Sequence, residues 1–160
     1  MRKIYLSFLI LLLAGFLISA VQAQKSYKTV KAGVGIDGLR VGKSTRADVI
    51  RKYGRNFKTE KYGKYSVQMV YSNGLSFYYC QKDRRQEIFV IEMRSPARVK
   101  TVKGIILSKS NIGEVRKKYG KPKKGLRFRG IEFYYVNYNG KDVVSVIDII
   151  ENSGMRECRE

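Results

Sequence analysis

Histidine and tryptophan are absent from this 160-residue chain, and cysteine and proline occur only twice each. Without histidine there is no imidazole to serve as a general base near neutral pH, no His-ligated metal centre and no Ser-His-Asp triad. Two cysteines are too few for an all-cysteine zinc site or a dense disulfide scaffold, so neither a metal nor a cofactor is expected. Acidic residues are scarce as well: 13 Asp and Glu stand against 33 Lys and Arg, a formal charge of +20. A field of that sign draws anionic partners and makes their binding salt-sensitive. Apolar residues are present in ordinary amount, at 44%. That argues against wholesale disorder and fits one compact domain or two small fused units.

The N-terminus reads as an export address. Arg2 and Lys3 precede an apolar run over 4–18, and Val21-Gln22-Ala23 has the short residues a signal peptidase accepts. The run is nearly long enough to be an uncleaved anchor, but the cleavage box favours removal after Ala23, leaving Gln24 as the mature terminus. The expected location is therefore secreted or periplasmic. Export makes nucleotides and specific nucleic acid poor partners; an acidic protein or an anionic envelope polymer is the better expectation. In an oxidising compartment Cys80 and Cys158 are expected to form one disulfide that ties residues 153–160 to the rest of the chain.

The chain also repeats itself. Residues 38–54, GLRVGKSTRADVIRKYG, align without a gap on 104–120, GIILSKSNIGEVRKKYG, at an offset of 66. Downstream, Phe77-Tyr78-Tyr79 matches Phe133-Tyr134-Tyr135 at an offset of 56, as 88–93 matches 144–149. Ordered matches of this length point to tandem units, 24–97 and 98–152. Each opens with a short helix. Thr45 with Asp48, and Asn111 with Glu114, are capping-box pairs, and Gly54 and Gly120 are expected to end the helices in a left-handed conformation. Val49, Ile50 and Tyr53 form one apolar stripe, and Ile112, Val115 and Tyr119 the other. Helices of about eight residues are not stable alone and must lean on a sheet. Strands are expected near 65–71, 75–80 and 87–94, then near 126–129, 131–137 and 143–150; 28–36 and 98–106 are leading strands or linkers. The predicted class is α+β: two tandem α-β-β-β repeats, with short capped helices packed on antiparallel sheet.

Two motifs mislead. Residues 33–38 spell G-x-G-x-x-G, but Leu39-Arg40-Val41 follows where a helix should start, and no βαβ unit surrounds it. Gly42-Lys43-Ser44-Thr45 resembles the end of a P-loop, yet Asp37 stands where its first glycine belongs. The only paired carboxylates at equivalent strand positions are Glu92 and Asp148. They could support acid–base chemistry in a hydrolase, but cross-strand ion pairs are the simpler use. No catalytic residue is assigned.

Binding candidates come from charge and strand parity. The stretch 116–129 holds eight basic residues and no acidic one; Lys121, Lys123, Lys124, Arg127 and Arg129 lie in it beyond the helix end, where a helix dipole does not explain them. Arg84 and Arg85 add charge between two strands. Alternation places Leu75, Phe77 and Tyr79 toward the helices, so the other face is expected to carry Tyr78, Cys80, Ile88, Val90 and Glu92 with Tyr134, Val136, Val144, Val146 and Asp148. That face is too apolar to stand open in water. Tyr78, Tyr134 and the basic residues form the candidate binding surface of an exported, non-enzymatic binding protein. The alternative is a structural envelope protein without a specific partner.

The run Ser44-Thr45, Asp48, Val49, Gly54, repeated as Ser110-Asn111, Glu114, Val115, Gly120, Pro122, resembles the helix-opening motif of the BamE/SmpA lipoproteins and the β-lactamase-inhibitor-protein-like (BLIP-like) superfamily. The resemblance covers most of the chain after the leader as a tandem pair. It implies exported, non-enzymatic binding proteins, either envelope assembly factors or inhibitors that lay a concave sheet on an enzyme. The chain has no lipidation cysteine after its leader, and it lacks tryptophan and is strongly basic where the inhibitors are not.

Overall fold

In a computed structural model, which describes residues 26–122 and 124–154 together with Arg156 and Cys158, both short helices form where the capping boxes stand. The expected leader, 1–23, and Lys123 lie outside the described residues. In chain order the elements are β1 (Lys28–Val30), β2 (Gly35–Ile36), β3 (Leu39–Arg40), α1 (Arg46–Tyr53), β4 (Phe57–Tyr62), β5 (Ser66–Tyr71) and β6 (Leu75–Cys80). They continue as β7 (Ile88–Arg94), β8 (Val99–Thr101), α2 (Ile112–Tyr119), β9 (Arg127–Phe128), β10 (Ile131–Tyr138) and β11 (Lys141–Ile150). Among the described residues no helix is long and apolar enough to cross a membrane.

Capping is reciprocal at both helices. Asp48 N–H donates to Thr45 Oγ1 (3.3 Å) while Thr45 N–H donates to Asp48 Oδ2 (2.8 Å). Glu114 N–H donates to Asn111 Oδ1 and Asn111 N–H to Glu114 Oε2, both at 2.9 Å. Thr45→Ala and Asn111→Ala are each expected to cost about 1 kcal/mol. Urea unfolding should register this as a lower midpoint at unchanged slope. The helix ends differ from the αL expectation: Gly54 and Gly120 have φ of 80° and 82°, but ψ of −172° and −152°. That region is open essentially to glycine alone. It still lets the cap N–H groups donate to Ile50 and Arg116 carbonyls at 2.8 Å.

The fold is sheet-rich and mostly antiparallel. One seven-stranded sheet has the order β4-β5-β6-β7-β11-β10-β9; β1 and β8 pair in parallel as a small second sheet, and β2 and β3 form a hairpin. That hairpin is the G-x-G-x-x-G segment, with Asp37 and Gly38 at positive φ in its turn. The P-loop look-alike is likewise local, because Ser44 Oγ accepts the N–H of Arg40 and Thr45 caps α1. Residues 28–30 and 99–101 are therefore strands within the stretches where strand and linker were both open.

Apolar alternation sets the inner face. Val67, Met69, Leu75, Phe77, Ile91, Met93, Ile147 and Ile149 are buried on the helix side with Val49 of α1 and Val115 of α2. A fully buried side chain of this kind contributes roughly 1.5–3 kcal/mol, enough in sum to hold two helices that have no stability of their own.

The same contacts recur at the sequence offsets. Gly42 N–H donates to the Ile88 carbonyl and Ser108 N–H to that of Val144, both at 2.8 Å. Arg94 N–H donates to Gly74 O (2.9 Å) and Ile150 N–H to Gly130 O (3.2 Å). Strand pairing shifts register between Tyr78 and Tyr79, and again between Tyr134 and Tyr135. These bulges correct the expected faces. An extra residue in the partner strand, Phe89 or Ser145, breaks the alternation. Ile88 and Val144 therefore turn to the helix side instead of the opposite face. Phe89 joins Val90 on the opposite face.

Candidate functional site

The face without helices carries a line of polar side chains that runs straight across the sheet. Register pairs Ser76 with Glu92, Glu92 with Asp148, Asp148 with Glu132, and Glu132 with Arg127. The three carboxyl groups are buried, at 6%, 5% and 9% exposure for Glu92, Asp148 and Glu132. Each outer one has an arginine. Arg94 Nε donates to Glu92 Oε1 (2.7 Å) and its Nη2 to Oε2 (3.0 Å), while the Tyr78 hydroxyl donates to Oε2 (2.9 Å). Arg127 Nε donates to Glu132 Oε2 at 2.8 Å.

The central one has none: Asp148 Oδ1 is buried without a hydrogen-bond partner among the described residues. Burial first, then the charges of Glu92 and Glu132, push its carboxyl up to about 8; Arg94 and Arg127 oppose this more weakly. Desolvation and the neighbouring Glu92 likewise push the Tyr78 hydroxyl far upward, and burial raises that of Tyr134 to about 12.

Asp148 and Glu92 both line a cavity of about 330 Å³. Tyr62, Tyr78, Phe89, Tyr134 and Arg94 complete most of the lining. Tyr62 meets Tyr78 edge-on, with ring centroids 5.0 Å apart. The Cys80–Cys158 disulfide places Cys158 against the cluster of Tyr78, Phe89, Val90 and Ile150, so part of this face is covered by the chain itself. Arg156 fastens the tail through Glu151 (3.0 Å) and Glu87 (3.2 Å).

The sequence-derived binding residues do not gather into one cluster. Tyr78 is buried, and Tyr134 is exposed across the cavity from it. Arg84 and Arg85 lie exposed in the β6–β7 loop, and Arg85 pairs with Glu87 at 3.0 Å. Lys121, Lys124 and Arg129 are exposed around β9, whereas Arg127 is committed to Glu132. The chain entering β9 reaches β10 where Phe133 N–H donates to the Leu126 carbonyl (3.2 Å). Past that point no strand ladder joins β10 on this side among the described residues. Tyr134, Tyr135, Val136 and Tyr138, 42–69% exposed, thus form an open aromatic strand edge beside the basic loop.

Sequence reasoning missed Glu132 and Arg94. The signal was available, since the offset of 56 sets Glu132 against Ser76 and Arg94 against Ile150, so the matched positions differ in charge. Among the described residues no group of acidic or cysteine side chains is arranged to hold a metal ion. No protein-family model, curated protein or solved structure matches the chain.

Proposed function

We propose that this is an exported, non-enzymatic binding protein whose partner is an acidic protein or an anionic envelope polymer. The observation that carries the reading is the open edge of β10: four exposed apolar residues among the five of 134–138, with Lys121, Lys124 and Arg129 exposed around β9, on a chain of charge +20. An unpaired, apolar strand edge invites an added strand, and the adjacent cations select an acidic one. The resemblance to the BLIP-like and BamE/SmpA-like proteins points to the same class. The recurrence of caps, bulges and inter-strand bonds at offsets of 66 and 56 supports reading the halves as two copies of one α-β-β-β unit.

The hydrolase alternative is weaker, because Glu92 is engaged by both Arg94 nitrogens and the Tyr78 hydroxyl and has little left to offer a reaction. The export half of the proposal is checked by N-terminal sequencing of the released protein, expected to begin at Gln24.

The binding half is tested by retention of envelope extract at low and high salt, with wild type, a Lys121→Ala/Lys124→Ala/Arg129→Ala variant and Val136→Glu. One saturable partner is expected. It should elute sharply with salt and bind each variant at least tenfold more weakly, a loss of about 1.4 kcal/mol. Diffuse retention of any polyanion, unaffected by Val136→Glu, supports the structural envelope reading instead.

A further inference from the structure

We propose that the cavity over Asp148 is a binding site for a single cationic group, an ammonium or a guanidinium, seated between the tyrosine rings and the central carboxyl. Three observations carry this independently of the basic loop. The cross-strand line holds three buried carboxyl groups and only two guanidinium partners, Arg94 and Arg127, which take the outer positions. The position equivalent to Arg94 in the second half is Ile150, so the fold supplies Asp148 with no cation of its own. An unpaired buried polar atom is costly, and Asp148 lines a cavity from which a ligand could complete its carboxyl group.

The walls fit the same group. Tyr62, Tyr78, Phe89 and Tyr134 line about 330 Å³, room for one side-chain-sized ligand among aromatic rings. Cations are attracted to aromatic faces, more strongly where water is excluded. An anion would meet two carboxyl groups in the lining, and a purely apolar ligand would leave the Asp148 carboxyl unpaired.

Empty, the cavity keeps a proton on Asp148. The groups that face this carboxyl are Glu92 and Arg94 on β7, Glu132 and Tyr134 on β10, Arg127 on β9 and Tyr78 on β6. A bound cation takes the place of the proton, which leaves to solvent, and no covalent bond changes. Affinity therefore rises with pH, approaching tenfold per unit below about 8, and then levels off.

The experiment is calorimetric titration of the full chain with n-butylguanidinium and with n-butylurea, its neutral near-isostere, at pH 6, 7 and 8 in two buffers of different ionisation enthalpy. Butylguanidinium is expected to bind at least tenfold more tightly than butylurea. Close to one proton should be released at pH 7. Asp148→Asn, with its fold verified by circular dichroism, should abolish both the preference and the proton release. Tyr134→Leu, at an exposed position, should weaken binding severalfold while leaving the proton release.

An end-blocked Gly-Arg-Gly peptide separates the sources of the cation. Tighter binding than butylguanidinium indicates a protein side chain, and weaker binding indicates a free small cation. Equal binding of butylurea, no binding of either probe at millimolar concentration, or proton release that persists in Asp148→Asn overturns the proposal. The Lys121/Lys124/Arg129 variant should bind butylguanidinium like wild type, so this site and the anionic-partner reading fail separately.

Discussion

Between pH 5 and 8 the folded state is expected to lose stability as pH rises, and Asp148→Asn is expected to remove most of that loss. Burial and the adjacent Glu92 and Glu132 raise the folded carboxyl of Asp148 to about 8, against an ordinary value of 3.8. Throughout the window between those values the folded chain holds a proton that the unfolded chain releases. Stability is therefore fully present below about pH 4 and is lost as pH rises through about 8. The slope approaches 1.36 kcal/mol per pH unit for one proton, so the loss across the window is at most about 5 kcal/mol. That is a large part of the total stability of an ordinary domain.

The carboxyl groups held below their ordinary value do not mask the effect. Asp48 and Asp83 are held below the usual range, chiefly by the backbone N–H groups of Thr45 and Arg85, so they add stability as pH rises. They do so below their ordinary value of 3.8, outside the window. Urea unfolding at pH 5, 6.5 and 8 checks the prediction. Wild type should fall steeply while Asp148→Asn stays nearly level and is the more stable protein at pH 8. Parallel curves would show that Asp148 does not hold a proton in the folded state.

What could be read from residues alone follows from how local the cause is. The helix caps depend on side chains three positions apart, and both formed as Thr45, Asp48, Asn111 and Glu114 dictate. Strands with an apolar face, β5, β6, β7, β10 and β11, were legible from alternation. β4 was not: Phe57–Tyr62 is an edge strand with five of its six residues exposed, and Lys58, Glu60 and Lys61 leave no apolar period to detect.

Strict alternation also failed at Ile88 and Val144, because a bulge is a property of two paired strands and leaves no mark in either one alone. The site was half legible. Glu92 and Asp148 stood out as equivalent carboxylates. Their direct pairing depends on β7 and β11 meeting at the centre of the sheet, a long-range contact with no local signature. The β10–β11 pairing then set Glu132 beside Asp148 and completed the acidic line.

Opening the disulfide is expected to cost roughly 4 kcal/mol, since Cys80 and Cys158 close a loop of 78 residues whose freedom the unfolded chain would regain. The matched variant is Cys80→Ser/Cys158→Ser, which leaves no stray thiol, with reduced wild type as the second measurement; urea midpoints of both should fall together. The loss is more than entropic. Released, the tail uncovers Tyr78, Phe89, Val90 and Ile150, which are buried on the helix-free face, and Arg156 leaves Glu87 and Glu151. The variant should therefore bind a hydrophobic dye where wild type does not, even at a urea concentration at which both remain folded. A cost below about 1 kcal/mol, with no dye binding, would mean that the tail stays in place through Arg156 alone and that the covalent link adds little to the cover it makes.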